Sequence, residues 1–145
     1  MKQENTIDFN IRWAWYNILR MYNLKAAEFG GSMALGYTLL NIDKKGTPST
    51  KLGPKMGMEP RSLTRMIKGL EERGLIEKKQ DSIDKRSVKI FLTKEGKKLR
   101  DFSKEIVISF NEKISKEIGQ RDLKTCLKVL NKLNKIIDRE DILAN

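Results

Sequence analysis

The chain has 145 residues, enough for one core-bearing domain, and its 34% charged and 39% hydrophobic residues are the balance of a soluble globular protein. A surplus of 30 Lys and Arg over 19 Asp and Glu gives a net charge of +11, which implies either a solvated basic face or an anionic partner. With one Cys and no His, an internal disulfide, a Cys/His zinc site and a Ser-His-Asp triad are all excluded.

Ile7, Ile11, Trp15, Ile18 and Tyr22 recur at helical steps, so a helix from about Thr6 to Glu28 carries a continuous apolar face. Trp13 and Tyr16 lie off it and are compatible with core packing, a dimer surface or the wall of an aromatic site. The early charges Lys2, Glu4, Asp8 and Arg12 do not read as a signal peptide, and no apolar run nears the roughly 20 residues that span a bilayer. The expected location is the cytoplasm, with no membrane partner.

Gly30 and Gly31 end the first helix, and Ser32 is placed to cap a second of about three turns that carries Leu35, Leu39, Leu40 and Ile42. Thr47 followed by Pro48 reads as the cap and first position of a third helix. Gly53 and Pro54 should leave that helix, Ser49 to Met58, short and irregular.

From Pro60 to Arg73, Leu63, Met66, Ile67 and Leu70 share one helix face, while Arg61, Arg65, Lys68 and Glu72 gather opposite, flanked by Ser62 and Thr64. Pro60 suits the first helical position and Gly74 the residue past the end. The pattern then alternates through Ile76, Lys78 and Gln80, turns at residues 81–86, and alternates again through Val88, Ile90 and Leu92. Thr93 is a cap candidate for the next helix, with Glu95 in its first turn. Helix, hairpin and helix in this order describe a winged helix. Its surroundings are the basic part of the chain, since residues 47–100 hold 15 Lys and Arg against 7 Asp and Glu.

Beyond Gly96, Leu99, Phe102, Ile106, Phe110 and Ile114 mark one long helix. Gly119 and Gln120 mark a turn, and Leu123, Leu127, Leu130 and Ile137 mark the last helix, with Asn134 interrupting its stripe. Cys126 reads as a small buried residue, and residues 138–145 form a polar tail. Together with the first helix, these segments offer more apolar surface than a small winged domain needs, which points to a second copy rather than to a monomeric bundle.

Two motifs carry a family resemblance. Residues 84–96, Asp84-Lys85-Arg86 through Leu92-Thr93-Lys94-Glu95-Gly96, fit the pattern D-x-R-x5-L-T-x-x-G, which resembles the wing signature of the MarR family of bacterial transcription regulators. Upstream, Ser62-Leu63-Thr64-Arg65 and the run from Leu70 to Ile76 look like that family's recognition helix; the departure is in the segment before it, Ser49 to Met58, where Gly53 stands in place of the family's usual Ala after Leu52. The resemblance implies a mainly α, α+β fold: a winged helix-turn-helix over residues 32–100, with dimerisation helices at 1–29 and 101–145. It implies a homodimer that binds double-stranded DNA sequence-specifically, by default as a repressor, with no cofactor and no enzymatic activity.

In such a protein the second helix of the helix-turn-helix enters the major groove. Arg61, Ser62, Thr64 and Arg65 are then expected to face bases and nearby phosphates, and Lys68 to meet phosphate. Arg86 matches the family's wing arginine and is expected in the minor groove, held in place by Asp84. Family members also resemble switches worked by small aromatic effectors; here Trp13, Tyr16, Phe29, Met33 and Tyr37 are the candidates to line such a pocket. The competing reading is a winged-helix protein-interaction module, which would lack a steep salt dependence on DNA.

Overall fold

The computed structural model describes residues 2–139, so the end of the polar tail lies outside the described residues. After one 3-10 turn at Gln3–Asn5, the helices are α1 (Ile7–Ala27), α2 (Met33–Leu40), α3 (Ser49–Met56), α4 (Pro60–Glu72), α5 (Lys94–Ile118) and α6 (Gln120–Arg139). The strands are β1 (Thr47–Pro48), β2 (Ile76–Gln80) and β3 (Val88–Leu92), in one antiparallel sheet of order β1-β3-β2. Two compact units result, one reaching Lys104 and the other starting at Glu105. The fold is the mainly helical winged helix-turn-helix with flanking helices that the sequence implies.

The first unit holds a closed core. Leu35, Leu39 and Ile42 from α2, Leu52 from α3, and Leu63, Ile67 and Leu70 from α4 meet Leu75, Ile76, Ile90 and Leu92 from the sheet side. Ser32 caps α2 as expected, its hydroxyl accepting from the Leu35 amide at 3.2 Å. The helix is shorter than its pattern suggests, eight residues, because Thr38 and its neighbours lead straight into a turn at Asn41.

Thr47 and Pro48 correct the sequence reading. They do not cap α3; they form a third strand, paired Thr47 to Ile90 and Pro48 to Lys89. The Thr47 hydroxyl is instead engaged by the Asp43 amide at 2.9 Å, which closes the loop before the strand. Pro48 has no N–H to offer a ladder, which confines it to a sheet edge such as this one.

α3 is short, as Gly53 and Pro54 predict, yet it is uninterrupted. Gly53 has a packing reason: a Cβ there would come within 3.2 Å of both the Leu63 side chain and the Met58 carbonyl. The glycine lets α4 approach α3 closely. Gly57 supplies the left-handed residue, φ +61°, that turns the chain between these two helices.

The joint from α4 to α5 explains the Leu92-Thr93-Lys94-Glu95-Gly96 run. The Thr93 hydroxyl donates to the Gly74 carbonyl at 2.7 Å and accepts from the Gly96 amide at 3.1 Å, while the Thr93 amide donates to the Leu75 carbonyl at 3.1 Å. One threonine therefore caps α5 and ties it to the end of α4. A Cβ at Gly96 would collide with the Leu75 carbonyl oxygen, so only glycine fits this crossing.

In the second unit, the rest of α5 runs to a turn at Gly119 and is followed by α6. Gln120 is the first residue of α6 rather than part of the turn, because Gly119 alone, at φ +86°, reverses the chain. Cys126 is also corrected: it is exposed although it shares the side of α6 that carries Leu123 and Leu130, because no residue of that helix is buried.

Candidate nucleic-acid interface

α4 is built to display one face. Its buried residues Leu63, Ile67 and Leu70 fix the helix on the core, and Pro60 starts it with a preset φ and no orphan N–H. Burying three such side chains contributes about 1.5–3 kcal/mol each, enough to hold the opposite face in one orientation. On that face Arg61, Ser62, Thr64, Arg65 and Lys68 are all exposed.

The side chains differ in how free they are. The Thr64 hydroxyl donates to the Pro60 carbonyl at 2.9 Å, which leaves it an acceptor for an outside donor. Lys68 lies 3.9 Å from Glu72, a loose and exposed pair of little energetic weight. Among the described residues no carboxylate lies within ion-pair distance of Arg61, Arg65 or Arg86.

The wing is the β2–β3 hairpin, in register from Ile76 opposite Leu92 to Gln80 opposite Val88. Its tip is organised by two aspartates. An Asp81 carboxylate oxygen accepts from the Ile83 amide at 2.9 Å, and an Asp84 oxygen accepts from the Arg86 amide at 3.0 Å. The Asp81 amide donates to the Ser87 carbonyl and the Ser87 amide to the Asp84 carbonyl, both at 2.9 Å. The Gln80 side-chain amide also donates to the Lys85 carbonyl.

Asp84 thus holds residue 86 through its amide, leaving the Arg86 guanidinium exposed to solvent. Asp81 was legible only as a turn residue, yet it is the better-connected of the two. Its second oxygen pairs with Lys89 at 3.3 Å, and the Ile83 amide, followed by Lys89, holds its carboxyl below the ordinary carboxylate range. The signal in the sequence is an Asp two residues before the tip with a Lys on the facing strand. Below the tip, Lys79 stands 5.2 Å over the Phe91 ring, a cation–π contact that braces the hairpin.

The candidate effector residues divide between two places. Trp13 and Tyr16 pack edge-on at 5.7 Å, with Phe9 beside Trp13 at 6.2 Å. These three, with Gln3 and Arg12, line an open hollow of about 310 Å³. Phe29 is drawn elsewhere, to Phe102 at 4.0 Å between ring centres. Met33 is half-buried at the start of α2, where its amide donates to the Asn23 side chain, and Tyr37 is exposed. Among the described residues there is no cluster of metal-ligating side chains and no helix long and apolar enough to cross a membrane.

A helix-turn-helix with a basic second helix, followed by a two-stranded wing with an exposed arginine, defines the winged-helix class. Within it, residues 38–88 match the model of the MarR family, the family that the two motifs resemble. The structure of S. aureus MepR in complex with DNA superposes with a TM-score of 0.82 at 18% identity, over 90% of this chain and 97% of that one. A MarR-family transcriptional regulator from Rhodococcus sp. RHA1 gives 0.80 at 21% identity, over 92% and 96%. The PcaV transcriptional regulator from Streptomyces coelicolor, solved with its natural ligand, gives 0.78 at 15% identity, over 94% and 97%.

Proposed function

We propose that this protein is a non-enzymatic, sequence-specific DNA-binding transcription regulator that acts as a homodimer on a pseudo-palindromic operator, as a repressor. The observation that carries the reading is the exposed, carboxylate-free arginine pair of α4, Arg61 and Arg65, set one turn apart on a helix whose other face is locked into the core. MepR, which shares the fold, was crystallised with DNA.

In this reading α4 enters the major groove and the two copies address half-sites about 34 Å apart. Arg61 and Arg65, with Ser62 and Thr64, contact bases and adjoining phosphates; Lys68 contacts phosphate. Arg86 reaches into the minor groove, where narrow A·T tracts concentrate negative potential, and Asp84 sets its backbone. The winged part, residues 32–100, does the reading, and residues 1–29 and 101–145 dimerise. Support for the dimer is the apolar surface left open on α1 and in the second unit: Ile7, Trp15, Ile108, Leu127 and Ile137 are each about half exposed. An aromatic effector is proposed for the hollow walled by Trp13 and Tyr16; PcaV, with its natural ligand, is the structural relative that motivates it.

The test is binding of the purified protein to the DNA upstream of its own coding region, against a scrambled fragment, at rising salt. Preference for the first fragment, with log K falling by roughly 0.9 per contacted phosphate against log salt, is the expected result. Loss of both affinity and salt dependence would overturn the reading in favour of a protein-interaction module.

A further inference from the structure

We propose that the cationic face of α6 is a second nucleic-acid contact, one that grips the phosphate backbone of duplex DNA without reading its sequence. At about 100° per residue, Arg121, Lys124, Lys128, Lys132, Lys135 and Arg139 fall within an arc of about 80°. All six are exposed. The two acids of the helix, Asp122 and Asp138, lie outside that arc, and among the described residues no carboxylate comes within ion-pair distance of any of the six.

This differs from the other helices. Lys25 sits on Glu28, Lys68 on Glu72 and Lys98 on Glu95, each pair three or four residues apart. Along α6 the corresponding neighbours are Lys124 with Lys128, Lys128 with Lys132, and Lys135 with Arg139, like-charged pairs that weaken a helix. A merely solvated face gives no reason to keep every acid out of the arc, whereas a bound polyanion does.

Length and polarity identify the polyanion. From Lys124 to Arg139 the stripe runs about 22 Å, and a DNA strand presents a phosphate every 3.4 Å or so of axis, so several phosphates can be met in a row. An anionic membrane fits less well, because an interfacial helix buries its apolar side in lipid. On α6 that side is partly covered, Leu123, Leu130, Leu133 and Ile136 being half-buried, and in the dimer proposed above the half-exposed Leu127 and Ile137 are covered by the second copy.

The inference goes beyond the winged-helix reading and is tested apart from it. The full chain carrying K124Q, K128Q, K132Q and K135Q together is titrated with operator and scrambled duplexes between 50 and 200 mM salt, beside the matching four-fold Lys→Arg variant and an R61A/R65A variant. Glutamine keeps the helix propensity, and circular dichroism checks that the fold is retained. The expected result is a salt slope shallower by about 2 or more on both duplexes in the glutamine variant, at about 0.9 for each phosphate that the helix no longer neutralises. Operator preference should be unchanged, and the arginine variant should match wild type. A slope equal to wild type in the glutamine variant overturns the proposal. So does a loss of polyglutamate binding with duplex binding intact, which would assign the face to an acidic protein segment. Retained operator preference in R61A/R65A would refute the α4 reading alone.

Discussion

The winged part and the last helical hairpin solve opposite problems. Around α2, α3, α4 and the sheet, apolar side chains close on one another until Leu39, Leu52 and Ile90 have no exposed surface at all. α6, with a comparably strong amphipathic pattern, buries nothing completely and leaves Leu127, Val129 and Ile137 about half exposed. The difference teaches that amphipathicity fixes where a helix points, whereas the number of elements around it decides whether that face is satisfied within one chain. The first region is self-sufficient; the second is an incomplete surface.

That contrast can be broken at its firmest point. R61A/R65A should lower operator affinity by at least about 30-fold, since each bidentate arginine is worth about 1–3 kcal/mol, while thermal unfolding stays as in wild type. Fluorescence anisotropy and calorimetry read the two effects separately. Leu39→Ala should do the reverse of a surface change, costing about 2–5 kcal/mol in urea denaturation because it hollows a closed core. Leu127→Ala, on the open face, should alter chain folding far less but weaken self-association, as read by sedimentation across protein concentration.

A smaller effect concerns pH. Because Asp81 is held below its ordinary range when folded, its contribution is fully present above about pH 4 and is lost as pH falls through its lowered value. Protection of the Ile83 and Ser87 amides, taken as the intrinsic exchange rate at each pH over the observed one, should therefore fall on acidification, and Asp81→Ala should show low protection already at neutral pH with little further loss. The smallest change is Cys126→Ser, expected within about 0.5 kcal/mol of wild type at this exposed position.

Much of this architecture was legible because local chemistry and tertiary context agree. Ser32, Pro60, Gly74 and Thr93 all stand at the boundaries their chemistry suggests. The failures share a cause in long-range pairing. Thr47-Pro48 has the local signature of a helix start, but β3 lies beside it and claims it as a strand. Cys126 has the size and polarity of a core residue, and only the scarcity of packed neighbours around α6 leaves it exposed. In the candidate interface, the basic face of α4 was readable from period alone. The role of Asp81 was not, because it depends on Lys89 across the hairpin.

The edges of the small sheet bear on a different hazard. One edge is β1, only two residues long and ending in a proline; the other is β2, whose middle is Glu77-Lys78-Lys79. Neither offers a neutral, extended ladder that a foreign strand could join. An unpaired sheet edge invites strand addition, and the proline on β1 and the charges on β2 oppose it at the two edges. The chain can therefore leave apolar helix surface and a wing open to solvent without offering a sheet edge for strand addition.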